Sequence, residues 1–262
     1  MHRLRALHSG LRASLARSFA EVTEKVPATE NIRKGWDLYA QQYANLLESR
    51  TFSAQAGMMS ELSPKPTDSI LEMACGSGYF STFQALRKPQ TQKYKMVDLS
   101  PNMVNLAKIR VYNSLKTGRF IEDVSKFVGK KDNNDMNAFL AKENIDISVG
   151  DCENLSDIHA NSYDVVIGGL FLHLVSSPEK VVRESHRVLK KGGRAGFSVF
   201  GCKERSLYFT LFDLVVAKRG HVDFRSKFHL GDETKLTNLL KKEGFKNIRL
   251  MRMDQSFTIR DE

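Results

Sequence analysis

Only three cysteines occur in 262 residues, Cys75, Cys152 and Cys202, and they are odd in number and far apart. That arithmetic argues against a disulfide framework and fits a reducing compartment; without a Cys-x-x-Cys pair a structural zinc site is not expected either. No apolar run approaches the roughly 18 residues that a helix needs to cross a bilayer, so the chain reads as soluble or peripheral. No internal repeat is present, and the six prolines and seventeen glycines fall mostly between periodic segments.

Acidic residues are missing from the first twenty positions. Arg3, Arg5, Arg12 and Arg17 stand there opposite Leu4, Leu7, Leu11, Leu15 and Phe19 at helical spacing, interspersed with Ser9, Ser14 and Ser18. An acid-free, Arg- and Ser-rich amphipathic start reads as a mitochondrial transit segment over 1–20. The other reading is a basic amphipathic helix lying on the domain or on a membrane surface. The net charge of +10 permits attraction to nucleic acid, anionic lipid or an acidic protein without selecting among them.

With 41% hydrophobic residues the chain can bury a sizeable core, and it reads as one domain with trimmings. Residues 21–66 form a helical cap: Trp36, Tyr39, Tyr43 and Leu46 or Leu47 share one face between Glu30 and Leu62, and Pro64 and Pro66 close the segment. The main domain, 67–262, alternates apolar runs with helical patterns. Strands are expected at Ser69–Met73, Tyr94–Leu99, Ile145–Val149, Tyr163–Ile167, Ala195–Phe200 and Asn247–Met253. Helices are expected at Tyr79–Leu86, from Pro101 onward, Glu179–Leu189, Leu207–Lys218 and Asp232–Lys242, with Gly244 in the C′ position of the last. Residues 114–144 read as a surface insertion with a short helix near Met136–Glu143. The alternation predicts an α/β fold with a mostly parallel, doubly wound sheet covered on both faces.

In such a sheet the ligand sits beyond the carboxyl ends of the strands, so the turn after the first strand, Ala74-Cys75-Gly76-Ser77-Gly78-Tyr79-Phe80, is the expected site. A dinucleotide turn needs G-x-G-x-x-G, and this chain has no third glycine in register. Three carboxylates accompany the turn instead, Glu72 in the first strand, Asp98 at the end of the second and Asp151 just after the third. Asp98 suits a ribose diol, Asp151 with the Cys152 backbone an adenine amino group, and Glu72 a cationic remainder. S-adenosylmethionine carries an ammonium and a sulfonium where a dinucleotide carries phosphates.

At these residues the chain resembles the class I methyltransferases, over roughly Ile70 to Met253. "ILEMACGSGYF", "MVDLSPNMVNLA", "VGDCENL", "YDVVIGGLFLHLV" and "RVLKKGGRAGFSVF" are similar to that family's successive motifs, most closely those of the ubiquinone and menaquinone biosynthesis methyltransferases. The resemblance implies a Rossmann-like fold and S-adenosylmethionine as cofactor. It places Gly76 and Gly78 near methionine and ribose, Asp98 on the ribose, Leu99 and Met103 against adenine, Asp151 and Cys152 at its polar edge, and Leu170 near the reacting end. Ala74 stands where the family usually has its first glycine, and the reversed seventh strand would have to fit within Gln255–Arg260.

His173, just after the fourth strand, is the catalytic candidate for a general base, with His221 and His229 behind it. Gly168-Gly169-Leu170-Phe171 lacks the Asn- or Asp-Pro-Pro-aromatic pattern of amino-methylating nucleic-acid enzymes, and no Pro-Cys pair suits attack on cytosine. The apolar lip Leu170–Leu172, with Phe209 and Phe212 if the later helix folds over, points to a small apolar or quinol-like acceptor. Two alternatives stay open: a methyltransferase-like mitochondrial assembly factor that binds a protein partner with weak or no methyl transfer, and an RNA methyltransferase.

Overall fold

The computed structural model describes residues 26–129, 133–206 and 226–254. Segment 1–20, the helix expected at 207–218 with Phe209 and Phe212, His221, and the seventh strand expected within 255–260 lie outside the described residues. Seven helices and five strands occur among the described residues: α1 (Thr29–Leu46), α2 (Glu48–Leu62), β1 (Ile70–Met73), α3 (Tyr79–Ala85), β2 (Tyr94–Asp98), α4 (Pro101–Thr117), α5 (Asn133–Lys142), β3 (Ile145–Val149), β4 (Tyr163–Gly168), α6 (Pro178–Val188), β5 (Leu189–Phe197) and α7 (Glu233–Lys242).

Local chemistry accounts for most boundaries. Ser100 caps α4 by accepting from Met103 N at 3.1 Å, with Pro101 at the first helical position, and Ser177 and Pro178 do the same for α6. Asp232 caps α7, accepting from Lys235 N at 2.8 Å, and Gly244 follows its end at φ +98°, a conformation that glycine adopts without strain.

The sheet runs β3-β2-β1-β4-β5, every pair parallel. The chain winds outward from β1 to β3, returns, and winds the other way through β4 and β5. The order therefore reverses between β1 and β4, and the crevice beyond their carboxyl ends is the place for a ligand. Apolar alternation splits the core in two. Ile70, Tyr94, Met96, Ile147 and Ile167 pack under α1, α2, α4 and α5, while Leu71, Met73, Val97 and Val166 pack under α6 and α7.

Two sequence expectations are corrected here. Residues 247–253 form no strand. Met251 and Met253 reach Gly57 of α2, and Arg249 and Arg252 pair with Glu61 and Glu233, so side chains and not a ladder anchor the segment. Leu250, Met251 and Met253 stay exposed, which is why their apolar character misled. The fifth strand begins at Leu189 instead of Ala195, because the Gly192-Gly193 turn is taken up as a bulge between Tyr163 and Val165 of β4. In the insertion, a 3₁₀ turn at Val124–Phe127 precedes α5.

Candidate active site

The turn joining β1 to α3 is held in shape from three sides. Gly76 and Gly78 lie at φ +58° and +79°, and a Cβ on Gly78 would sit 2.9 Å from the Ala107 backbone of α4. Only glycine lets α3 and α4 close to that distance. Ala74, also at φ +51°, adopts the left-handed conformation without being glycine. Asp98, buried at the end of β2, accepts Gly76 N and Ser100 N, both at 2.9 Å, and so ties the turn to the next helix. Burial raises its pKa to about 6 against those two backbone donors.

Glu72 lies in the middle of β1 and is 1% exposed. Tyr94 donates to its Oε2, while Oε1 has no hydrogen-bond partner among the described residues. Burial raises its pKa to about 7, opposed by the Tyr94 hydroxyl. A carboxylate left with one unmet oxygen behind a glycine turn favours a cation in front of it. Asp151 follows β3, pairs with Asn154 as a bridge and accepts Glu153 N at 2.8 Å. Gly150 N donates to the Asp98 carbonyl at 2.9 Å, which draws the exits of β2 and β3 together. The structure thus brings Glu72, Ala74, Gly76, Gly78, Asp98 and Asp151 to one edge. Leu99 is half-buried, Met103 and Cys152 are buried in the core, and burial drives the Cys152 thiol well above its ordinary range.

Beyond β4 the chain turns sharply at Leu170, φ +52°, whose N–H is taken by Ser198 of the neighbouring exit at 2.9 Å to Oγ. Phe171 folds back over Gly168, where a Cβ would meet its ring at 2.1 Å. His173 is 2% exposed with its ring 4.6 Å from that of Phe200, and Phe228 lies behind at 6.1 Å from Phe200. His229 Nε2 donates to the His173 carbonyl at 3.2 Å; a carbonyl only accepts, which fixes the tautomer. A groove of about 510 Å³ beyond β5, lined by Cys202, Lys203, Phe228 and Asp232 among others, contains none of the strand-end acids.

Sequence reasoning missed the cap's contribution. Glu48 of α2 is 4% exposed and accepts from Arg110 Nη1 at 2.7 Å, from the Ser77 hydroxyl and from Tyr79 N at 3.3 Å. Arg110 is fully buried, donates also to the Ser77 carbonyl at 2.7 Å and the Glu122 carbonyl at 3.3 Å, and lies over the Tyr79 ring. Asp37 of α1 accepts the Ser100 hydroxyl at 2.6 Å and Asn102 N at 3.2 Å. The start of α1 is fastened to the segment after β4, where Ser176 Oγ donates to the Pro27 carbonyl at 2.8 Å and Glu153 accepts Ser176 N and Ser177 N. A charge within an apolar stripe was the available signal: Arg110 interrupts Met103, Leu106, Ala107 and Val111, and Glu48 precedes Phe52, Met59 and Leu62 at helical spacing.

The fold and this edge define a nucleoside-binding doubly wound domain with carboxylates where phosphates would otherwise bind. A family model described as a methyltransferase domain matches residues 71–197, and the chain carries a class I S-adenosylmethionine-dependent methyltransferase domain. A malonyl-[acyl-carrier protein] O-methyltransferase of Ilyobacter polytropus is 23% identical over 91% of this chain and 72% of its own length. Among solved structures, a chain of the Haloferax volcanii complex between the Trm112 methyltransferase activator and a methyltransferase superposes at TM-score 0.56 with 16% identity, covering 81% of this chain and 75% of that one. Phosphoethanolamine N-methyltransferase 2 of Haemonchus contortus, bound to S-adenosylhomocysteine, superposes at 0.52 with 17% identity, covering 82% and 44%. The cofactor is S-adenosylmethionine. The orphaned Glu72 oxygen and the positive-φ glycine cradle fit it.

Proposed function

We propose that this methyltransferase acts on a small apolar acceptor through a nucleophilic oxygen, a quinol-like hydroxyl being the simplest case. The observation that carries this reading is the lip beyond β4 and β5, where Leu170, Phe200 and Phe228 supply half-buried apolar and aromatic surface over the buried Phe171 and Leu172. The O-methyltransferase name of the Ilyobacter relative supports an oxygen nucleophile. The acid-free segment 1–20 supports a mitochondrial location.

When bound, S-adenosylmethionine supplies an electrophilic methyl group on a sulfonium. Transfer is an in-line displacement that the protein promotes by alignment and by excluding water. Asp98, the glycine turn and Asp151 hold the nucleoside end, and Glu72 supplies negative charge behind the cationic end. The Leu170–Leu172 lip keeps the acceptor side dry. A hydroxyl must lose a proton as its oxygen is methylated, and His173, buried beside the Phe200 ring, is the base proposed to take it.

Incubation with methyl-tritiated S-adenosylmethionine and three acceptor probes tests the reading: an alkyl-substituted hydroquinone, a malonyl thioester and total RNA. Label in the hydroquinone supports it, and label in RNA alone overturns it. Loss of the basic rise in the rate profile in His173→Asn, with cofactor affinity kept, would assign the proton to that ring.

A further inference from the structure

Helix α2 spans two strand exits. Glu48 lies on the turn after β1, its Oε1 3.1 Å from where a Gly76 Cβ would be. Gln55, seven residues later and on the same face, lies on the turn after β4: a Cβ on Gly169 would fall 2.3 Å from its Cγ and 2.6 Å from its Nε2. The two glycines are therefore left bare for side chains that come from the cap. β1 and β4 are neighbours in register, Met73 opposite Gly168, so Ala74 and Gly169 leave the sheet side by side. Gln55 thus stands at the β4 lip of the crevice where the strand order reverses.

Its amide is an unusual thing to find there. Gln55 is 8% exposed, and among the described residues no hydrogen bond engages its side chain, so its amide keeps open donors and an acceptor at the crevice. The ribose and adenine ends of the cofactor belong to Asp98 and Asp151 at β2 and β3, on the far side of β1. The remaining end, an α-amino acid, is directed toward β1 and β4. That end carries an ammonium that donates and a carboxylate that accepts, and a carboxamide carries one acceptor and two donors.

We infer that Gln55 is a cofactor-binding residue contributed by the cap, its carboxamide hydrogen-bonding the amino-acid end of S-adenosylmethionine over Gly169. The inference rests on S-adenosylmethionine being the cofactor and is independent of the acceptor. It gives α2 a direct part in ligand binding, and it explains why position 169 is glycine although its backbone is not in the left-handed region.

Calorimetric titration of the full chain with two ligands tests it. S-adenosylhomocysteine has the amino-acid end and 5′-methylthioadenosine lacks it. The wild type binds the first more tightly than the second. Gln55→Leu, close in volume, weakens S-adenosylhomocysteine about tenfold, the scale of one or two lost hydrogen bonds to charged groups, and leaves methylthioadenosine within about twofold. Gly169→Ala, which displaces the amide without removing it, produces the same selective loss. Equal weakening of both ligands, or an unchanged S-adenosylhomocysteine constant in both variants, overturns the role of Gln55. A wild type that binds neither ligand overturns the cofactor assignment itself, a different result from binding that is merely indifferent to Gln55.

Discussion

The ligand crevice has two walls of different origin. One is the row of strand exits, Glu72, the glycine turn, Asp98 and Asp151, gathered from a continuous alternation of strands and helices. The other is the cap, where Asp37, Glu48 and Gln55 approach the same turns from helices that precede the sheet. The first wall is built of backbone constraints and single acids whose positions follow from the strand ends. The second depends on side chains that meet partners far along the chain. A site can thus be recognised from one wall while the shape of that wall is maintained by the other.

The sharpest way to break the comparison is to remove one member of the buried pair that joins the walls. Arg110→Met leaves Glu48 buried without its counter-ion and should cost about 3 to 5 kcal/mol of stability, read from urea unfolding; adding Glu48→Met should restore a large part of that loss. If the single change costs under about 1 kcal/mol, the cap is not held by this pair. Gly78→Ala should cost about 3 kcal/mol from left-handed strain and contact with the Ala107 backbone, a loss confined to the strand-exit wall. Asp98→Asn should weaken S-adenosylhomocysteine by about 2 kcal/mol, since an amide cannot accept from Gly76 N, Ser100 N and a diol together. An affinity unchanged by that substitution would move the ribose elsewhere.

Two smaller effects test the strand-exit wall by itself. Glu72 has its pKa raised to about 7 in the fold, above its unfolded value, so its contribution is fully present in acid and is lost as pH rises from about 4.5 through 7. Glu72→Gln should flatten that part of the stability profile in thermal melts. Cofactor binding responds in the opposite direction: a cation favours the ionised acid, so affinity should rise through the same window in the wild type and not in the variant. Ala74→Gly should stabilise by about 1 kcal/mol by relieving a left-handed alanine, a gain visible as a higher midpoint.

The sheet, its helices and the three acids were legible because strand periodicity and turn glycines are local signals. Four strands and the helices after β1 and β4 fall within a residue or two of expectation. The expectation at Asn247–Met253 failed because a run holding Ile248, Leu250 and Met251 shows apolarity and not pairing, and two of those side chains rest on the surface. The apolar stripe of the cap was read as packing alone. Its Glu48 and Gln55 carry meaning only once β1 and β4 are known to be neighbours, a fact about topology that residues 48 and 55 do not hold. Arg110 was overlooked for the same reason, since a buried guanidinium is intelligible only with its partner in view.

The distance along the chain between Glu48 and Arg110, 62 residues, has a consequence for synthesis. The cap leaves the ribosome first, and at typical elongation rates its carboxylate waits roughly 3 to 12 s for the arginine to be made, longer until it clears the exit tunnel. During that interval α2 has the sequence of a finished helix and no reason to settle. Its apolar stripe then waits without β4 and β5, the strands it packs against.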